Sequence, residues 1–213
     1  MTSSVMSPPL VRPRSHDGAV VAESGHDRRT RLPLSASQAD LLIVASLLLA
    51  YPDDDVCARR GDLAAAVAQL IEPSGTVPSS AKRALRRFLT WWEQADPTIL
   101  RQDYVATFDT RRGSALYVTY RTHGDQRTRG QVLHNMAQIY RRAGFEPTSD
   151  ELPDHLPTLC QFAGLADPAL LAEALDLADP GISGIHDCLT AQHSPWADVV
   201  AAIIAVLWKG DRP

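Results

Sequence analysis

The 213-residue chain lacks the patterns that mark metal-binding and catalytic sites. Its three cysteines, Cys57, Cys160 and Cys188, lie far apart without a Cys-x-x-Cys pair, which argues against a zinc finger or an iron–sulfur cluster. An odd number of cysteines and the lack of a secretory signal indicate reduced thiols in the cytoplasm. The sequence also has no GxSxG, GxGxxG, HExxH or P-loop pattern. The sequence motifs therefore give no indication of a catalysed reaction.

Long apolar runs are also missing. Two apolar runs, residues 41–50 and 199–208, have ten residues each, whereas a helix that spans a membrane needs about 20. Both runs therefore predict buried core helices. The pair Arg28-Arg29 precedes the first run, as in a twin-arginine export signal, but Asp40 borders the run and no Ala-x-Ala cleavage site follows it. We interpret this region as a tail ahead of the first helix.

An excess of basic residues is absent as well. The chain has 21 Lys and Arg against 25 Asp and Glu, a net charge of −4, which argues against a general nucleic-acid-binding protein. The charge is unevenly distributed, with +5 over residues 101–142 and −9 over residues 143–213. The two regions either pair with each other inside the fold or offer an acidic surface to a basic peptide.

Helix-forming residues, in contrast, are abundant. Alanine and leucine together number 54, and hydrophobic residues make up 45% of the chain, which favours helices over strands. Residues 1–35 contain four prolines, several serines and few large apolar residues, a composition typical of a disordered tail. Residues 36–213 are predicted to form one all-α domain, a helical bundle of roughly eight or more helices.

The predicted helices follow the 3.6-residue spacing of apolar side chains and the positions of proline and glycine. Ser37 is the predicted N-cap of the first helix, and Pro52 ends that helix. Residues 116–121 are predicted to form an extended turn, and residues 179–181 to break a helix. Ser194 is the predicted cap of the last helix. The predicted helices cover about 35 or 37 to 50, 55–71, 81–92, 97–108, 127–142, 154–163, 168–178, a short stretch near 185, and 195–208.

Four short stretches stand out from this helical pattern. They are, in chain order, YVATFD (104–109), HGDQRTRG (123–130), YRRAGFE (140–146) and ELPDHLP (151–157). The first has a plain structural explanation. Tyr104 and Phe108, four residues apart, are expected to be core aromatics. Asp109 is then expected to pair with Arg111 or Arg112.

The second and fourth stretches also have structural explanations. Asp125 is a suitable N-cap for the long helix. Gly130 would be costly inside that helix unless another group packed closely against it. Asp154 is a suitable N-cap for the next helix, which would place His155 at the positive helix end, where the imidazolium is disfavoured.

Taken together, these four stretches resemble the delta-subunit family of respiratory nitrate reductase, the NarJ-type assembly chaperones for molybdenum enzymes. LLLAYPDDD (47–55) fits the same pattern, and the resemblance covers residues 36–165 well and the C-terminal helices loosely. It implies a TorD-like all-helical chaperone that is cytoplasmic and is not an enzyme. It also implies that the chaperone binds no cofactor permanently. The resemblance further implies that such a chaperone holds the apo catalytic subunit for insertion of the molybdenum cofactor and prevents its premature membrane attachment.

The partner implied by the resemblance is the N-terminal peptide of the nitrate reductase catalytic subunit. No nucleic-acid partner and no direct membrane insertion are expected, and the expected state is a monomer or a weak homodimer. Related chaperones use an Asp-His motif and neighbouring helices to recognise leader peptides, which maps here to Asp154 and His155. Because such leaders are amphipathic and basic, a groove with apolar walls and an acidic rim would suit one. Tyr104, Phe108 and Leu156 would supply the walls, and Asp109 and Asp154 the charge. The other candidate peptide-binding residues are His123, Asp125, Arg129 and His155.

Three other functions remain open from the sequence. A sister chaperone would serve a different molybdenum enzyme. A ligand-responsive helical regulator would contact nucleic acid through residues 101–142, with a steep dependence of DNA affinity on salt. A metal-dependent hydrolase would purify with stoichiometric metal, held by histidines drawn from His123, His134, His186 and His193.

Overall fold

The computed structural model describes residues 10–11, 33–72, 75–110, 113–123, 127–147 and 151–208. Ten α-helices and one π-helical turn occupy these ranges, which confirms the predicted all-α fold. The helices are α1 (Ala36–Leu48), α2 (Asp54–Ala58), α3 (Arg60–Leu70), α4 (Ser79–Gln94), α5 (Pro97–Tyr104), the π-turn (Val105–Asp109), α6 (Tyr120–His123), α7 (Arg127–Arg142), α8 (Leu156–Leu165), α9 (Pro168–Ala191) and α10 (Trp196–Leu207).

One minimal pair of strands accompanies the described helices. β1 (Leu10–Val11) pairs antiparallel with β2 (Glu146–Pro147), which places Val11 opposite Glu146. The predicted disorder of residues 1–35 otherwise falls almost entirely outside the described residues and stays a prediction.

The first helix begins at the earlier of the two predicted starts. Ser35 is the N-cap, because its hydroxyl accepts a hydrogen bond from the Gln38 amide at 3.3 Å and its own amide donates to Gln38 Oε1 at 3.0 Å. This reciprocal pair is a capping box. The prediction of Ser37 as the cap is therefore wrong, since Ser37 lies inside the first turn.

The predicted helix over residues 55–71 is divided in two. Asp53 caps α2 by accepting a hydrogen bond from the Val56 amide at 2.8 Å, and α2 ends at Arg59, from which α3 begins. The next residue, Arg60, donates from Nη1 to the carbonyls of Trp92 and Ala95 at the end of α4. These hydrogen bonds hold α3 against α4. The apolar spacing of the sequence did not indicate the break between α2 and α3.

The core lies where α10 packs against α4, α9 and α1, while α1 also packs along α8. Trp196 at the start of α10 is 1% exposed, and its ring lies edge-to-face against Trp91, Tyr104 and Phe108. This aromatic cluster joins α10 to α4, α5 and the π-turn. It therefore fixes the position of the YVATFD stretch relative to the C-terminal helices.

The predicted break at residues 179–181 is wrong, because α9 runs through Pro180. Proline removes one helical donor and clashes with the preceding turn, yet Ala178 and Ile182 on either side are buried in the core. Gly181 lies directly against the backbone of Val118, where a Cβ atom would come within 1.7 Å of the Val118 carbonyl oxygen. Close packing outweighs the local preference of proline here.

The start of α10 also differs from the prediction. Its N-cap position is Pro195, and the Ser194 hydroxyl is buried without a hydrogen-bond partner among the described residues. Just before it, His193 has a φ of 53°, which ends α9 and turns the chain toward α10. Ser194 is therefore not a side-chain cap.

Candidate functional site

The ELPDHLP stretch runs side by side with the backbone of residues 116–118. The HGDQRTRG stretch reaches the same place through Arg129. The Val118 amide donates to the Asp154 carbonyl at 3.0 Å, and the Leu156 amide donates to the Leu116 carbonyl at 2.7 Å. Between these two bonds Tyr117 and His155 form one antiparallel bridge. The predicted extended turn at residues 116–121 therefore has a partner, and that partner is the Asp-His motif.

Asp154 is the centre of this arrangement and is 0% exposed. Its Oδ2 accepts hydrogen bonds from the Thr119 amide at 3.2 Å, the Thr119 hydroxyl at 2.5 Å and Arg129 Nη2 at 3.1 Å. The N-cap position of α8 is His155, whose side chain makes no capping bond. The prediction of Asp154 as a helix cap is therefore wrong, because its carboxylate points to Thr119 and Arg129.

Arg129 completes the cluster from the first turn of α7. Its Nε donates to the Thr119 hydroxyl at 3.2 Å, and its guanidinium lies 5.3 Å from the ring centre of Tyr120 and 5.9 Å from that of Tyr117. The side chain is 15% exposed. We call Thr119, Arg129, Asp154 and the two paired backbone segments the Asp154 junction.

The Asp154 junction is built to hold its shape. Hydrogen bonds between ionised partners are stronger than neutral ones, and a buried charge is costly once its partner is removed. Because the Asp154 carboxylate is fully enclosed, it cannot contact a client peptide in this conformation. What it does is fix the backbone that presents His155.

His155 lies half-buried at the surface of the Asp154 junction. Its ring centre is 5.3 Å from that of Tyr117, whose hydroxyl donates to Glu151 Oε2 at 2.6 Å. Burial lowers the pKa of His155, and the charges of Glu151 and Asp154 oppose that shift. Burial, together with the hydrogen bond to Glu151, raises the pKa of Tyr117 to about 12. The predicted preference for neutral imidazole agrees with this direction, although burial is the main cause.

The three predicted groove walls are core residues. The Tyr104 hydroxyl donates to the Leu49 carbonyl at 2.9 Å, and its ring centre lies 4.7 Å from that of Phe108. Tyr104 is 8% exposed, Phe108 5% and Leu156 0%. A role of these residues in lining a peptide groove stays a prediction, and it requires that the core open to expose them.

The remaining predicted site residues are spread over the surface. Asp109 is exposed at the end of the π-turn, and half-buried His123 has its Nδ1 at 2.7 Å from the Thr122 hydroxyl. Asp125 lies outside the described residues, as do Arg111 and Arg112, the predicted partners of Asp109. The structure thus brings Arg129, Asp154 and His155 together. His123 and Asp109 do not belong to this group.

The expectation of a close contact at Gly130 is wrong. A Cβ atom there would meet nothing within 4 Å. The glycine therefore keeps the conformational cost of its position in α7 without a packing gain.

Sequence reasoning missed an open concavity beside the π-turn. It measures about 380 Å³, and we call it the Tyr51 concavity after the residue that borders it from the end of α1. Tyr51 lies just before a proline and Val105 within the YVATFD stretch, but nothing in the sequence indicates that both remain exposed. The six lining residues are Tyr51, Arg101, Gln102, Val105, Ala106 and Thr110.

Neither a metal-binding cluster nor a membrane-spanning helix is found in the described part of the chain. Within it, no three histidine, cysteine or acidic side chains are grouped closely enough to hold a metal ion. His186 lies 3.7 Å from its neighbour Asp187, and His193 lies beyond the end of α9. Across the same described ranges, none of the helices combines the length and apolar character needed to cross a membrane.

Comparison with known proteins identifies the family. Residues 77–202 match the sequence profile described as nitrate reductase delta subunit. The chain belongs to this family. The matched range includes the π-turn, the Asp154 junction and most of α10, so the family resemblance expected from the four stretches is confirmed.

Curated relatives from two bacteria are similar to this chain. This chain is 34% identical to the nitrate reductase-like protein NarX of Mycobacterium tuberculosis. The match covers 75% of this chain but only 23% of NarX. The chain is 31% identical to a Bacillus subtilis protein named as the nitrate reductase molybdenum cofactor assembly chaperone NarJ, covering 76% of this chain and 85% of the relative.

Two more distant comparisons agree with this assignment. Escherichia coli NarJ, also named a nitrate reductase molybdenum cofactor assembly chaperone, is 28% identical over 73% of this chain and 64% of its own length. A solved structure described as a redox enzyme maturation protein from Archaeoglobus fulgidus has a TM-score of 0.56 over 86% of this chain and 95% of its own, at 19% identity. That likeness confirms the fold. The family is one of assembly chaperones rather than catalysts.

Proposed function

We propose that this delta-subunit family member is an assembly chaperone for a nitrate reductase. It binds the N-terminal region of the apo catalytic subunit in the cytoplasm and keeps that subunit ready for insertion of the molybdenum cofactor. The cofactor itself is loaded into the client, and the chaperone retains none. Membership of the family and the names of the Bacillus subtilis and Escherichia coli relatives support this proposal.

The observation that carries the proposal is the geometry of the Asp154 junction. Buried Asp154 and Arg129 lock two chain segments together, and this leaves Tyr117, Glu151 and His155 at the surface as a preformed polar cluster. A rigid cluster that donates, accepts and carries negative charge suits a basic peptide, since little ordering is needed on binding. In this proposal Glu151 and His155 contact the client, whereas Asp154 and Arg129 position them.

Calorimetric titration tests the proposal directly. The full chain is titrated with a synthetic peptide that has the N-terminal sequence of the nitrate reductase catalytic subunit of the same organism. A scrambled peptide of the same composition is the control. We expect micromolar or tighter binding of the native peptide alone. Equal binding of both peptides, or of neither, by a correctly folded chain contradicts the proposed client.

A pair of histidine variants locates the contact. His155→Ala is expected to weaken binding of the native peptide without a matching loss of thermal stability. His186→Ala is the control, because His186 is also half-buried but faces Asp187 on α9. If both variants bind the peptide as the unmodified chain does, His155 is not a client contact.

A further inference from the structure

The Tyr51 concavity is an apolar surface to which the proposed function assigns no role. Tyr51 is 45% exposed and Val105 is 37% exposed, although both are large apolar residues. Both line the same concavity, together with Ala106. Apolar side chains grouped around one open depression indicate an interaction site more strongly than isolated ones do.

The shape of the Tyr51 concavity argues against a small-molecule ligand. Ligand pockets enclose most of the ligand surface, whereas the two apolar residues here remain more than a third exposed. A volume of about 380 Å³ accommodates one or two inserted side chains. The fitting partner is therefore a side chain presented by another polypeptide, with the rest of that polypeptide lying across the rim.

The lining of the Tyr51 concavity is held in place from beneath. The Tyr51 ring lies edge-to-face on buried Tyr104, with ring centres 5.5 Å apart. Val105 and Ala106 belong to the π-turn, a backbone form that occurs mostly as single turns and often at functional sites. Phe108 in the same turn is anchored against Trp196. The receiving surface is therefore preformed.

Among the described residues, the charges around the Tyr51 concavity are mainly negative. Asp103 and Asp109 are exposed on α5 and the π-turn, close along the helix to Ala106 and Val105. Arg101, the cation among the described lining residues, donates to Asp54 at 2.6 Å and to the Pro52 carbonyl at 2.9 Å. Since Arg101 is paired with Asp54, the described residues offer a peptide an apolar centre with an acidic rim, while Arg111 and Arg112 lie outside the described residues.

Tyr104 lies against Tyr51 of the concavity and is also influenced by the charge of Glu151 beside His155. Burial is the main cause that raises the pKa of Tyr104, and the charges of Asp109 and Glu151 raise it further.

We infer that the Tyr51 concavity receives an apolar anchor residue of a basic, amphipathic client helix, while Asp103 and Asp109 attract its basic side chains. This assignment rests on the proposed chaperone function and adds where the apolar face of the client docks. Binding through one helical face in an apolar groove is a recurrent mode of peptide recognition. Buried anchors of this kind carry most of the affinity in such interfaces.

Matched variants test the inference with the same native peptide. Val105→Arg places a charge at the centre of the concavity, and Tyr51→Ser removes its aromatic wall. Leu165→Arg is the control, because Leu165 is 46% exposed at the end of α8 and does not line the concavity. We expect Val105→Arg and Tyr51→Ser to weaken binding at least about tenfold, and Leu165→Arg to leave it unchanged.

Hydrogen exchange on the unmodified chain gives a second readout that needs no variant. The amides of residues 102–110 are expected to exchange more slowly when the native peptide is bound. Tight peptide binding with unchanged exchange there and unchanged affinity of the Val105→Arg variant overturns the inference and leaves the proposed function standing. If the unmodified chain binds no peptide, both fail together.

Discussion

The Asp154 junction and the Tyr51 concavity are built in opposite ways. In the Asp154 junction the polar side chains turn inward, so that a carboxylate with no exposed surface is satisfied by Thr119 and Arg129. In the Tyr51 concavity the apolar side chains turn outward and keep more than a third of their surface exposed. The buried pair of the first region is costly to break, whereas the second region exposes apolar surface that a partner can bury.

The comparison teaches that a sequence motif and a contact surface are different things. Asp154 belongs to the ELPDHLP stretch that helped to identify the family, but it lies inside the protein. Tyr51 and Val105 also lie in stretches that helped to identify the family, LLLAYPDDD and YVATFD, but neither was predicted to contact a client, and both are accessible. We therefore expect variants in the two regions to affect different measurements.

The largest expected effect is on stability, from Asp154→Ala. This change leaves the Arg129 guanidinium without its carboxylate in a site where its side chain is 15% exposed. The loss of unfolding free energy is expected to be about 3–5 kcal/mol, as for other buried pairs that lose one partner. Urea unfolding followed by circular dichroism measures it.

A surface ion pair is the control for that prediction. Asp198→Ala removes the partner of Arg87, whose side chain is 63% exposed, and is expected to cost less than about 1 kcal/mol. Equal losses in the two variants would contradict a structural role of the Asp154 junction.

The next largest effect is expected from Gly181→Ala. The added methyl group would overlap the Val118 carbonyl, which belongs to the backbone segment paired with Asp154. Overpacking of this kind costs about 1–3 kcal/mol. The matched change Gly130→Ala, where a Cβ atom meets nothing, is expected to stabilise the protein by up to about 1 kcal/mol. Thermal unfolding of the two variants should therefore shift in opposite directions.

A smaller effect is expected from Tyr104→Phe, which removes the one hydroxyl that joins α5 to the end of α1. The lost hydrogen bond to the Leu49 carbonyl is worth about 1 kcal/mol of unfolding free energy. The rings of Phe108 and Trp196 still pack against the new side chain. Chemical denaturation should show this loss without a change in peptide affinity. A large loss of affinity would place the hydroxyl in the binding surface.

The smallest expected effect is a pH dependence from His155. Its pKa in the folded protein is lowered, so below the ordinary histidine pKa of about 6.5 the unfolded chain binds a proton more readily than the folded one. Stability from this group is therefore complete above about pH 6.5 and decreases as the pH falls toward the lowered pKa. Melting temperatures of the unmodified chain and of His155→Gln, measured from pH 7.5 to 5, should converge at the acid end.

Local features of the fold were predictable from the sequence. α7 occupies the predicted residues 127–142, and Gly144 follows it with a φ of 77°, as helix ends prefer. The helix α4 was likewise predicted from its apolar stripe, and the start of α5 at Pro97 agrees with the predicted one. In each case the determining contacts lie within a few residues of one another.

Features set by distant contacts were not predictable in this way. The partners of Asp154 lie 25 and 35 residues away in the sequence, so a local capping pattern gave the wrong role. Pro180 read locally as a helix break, because nothing nearby indicates that Val118 packs against Gly181. The Tyr51 concavity likewise joins residues from the end of α1 with the π-turn.

One measurement tests the division of roles most directly. Unfolding free energy and affinity for the native peptide are determined on the same preparations of Asp154→Asn and Val105→Arg. We expect Asp154→Asn to lose stability, with any loss of affinity explained by the unfolded fraction. Val105→Arg should keep its stability and lose affinity. A fully stable Asp154→Asn that no longer binds, together with a Val105→Arg that binds normally, would contradict the account.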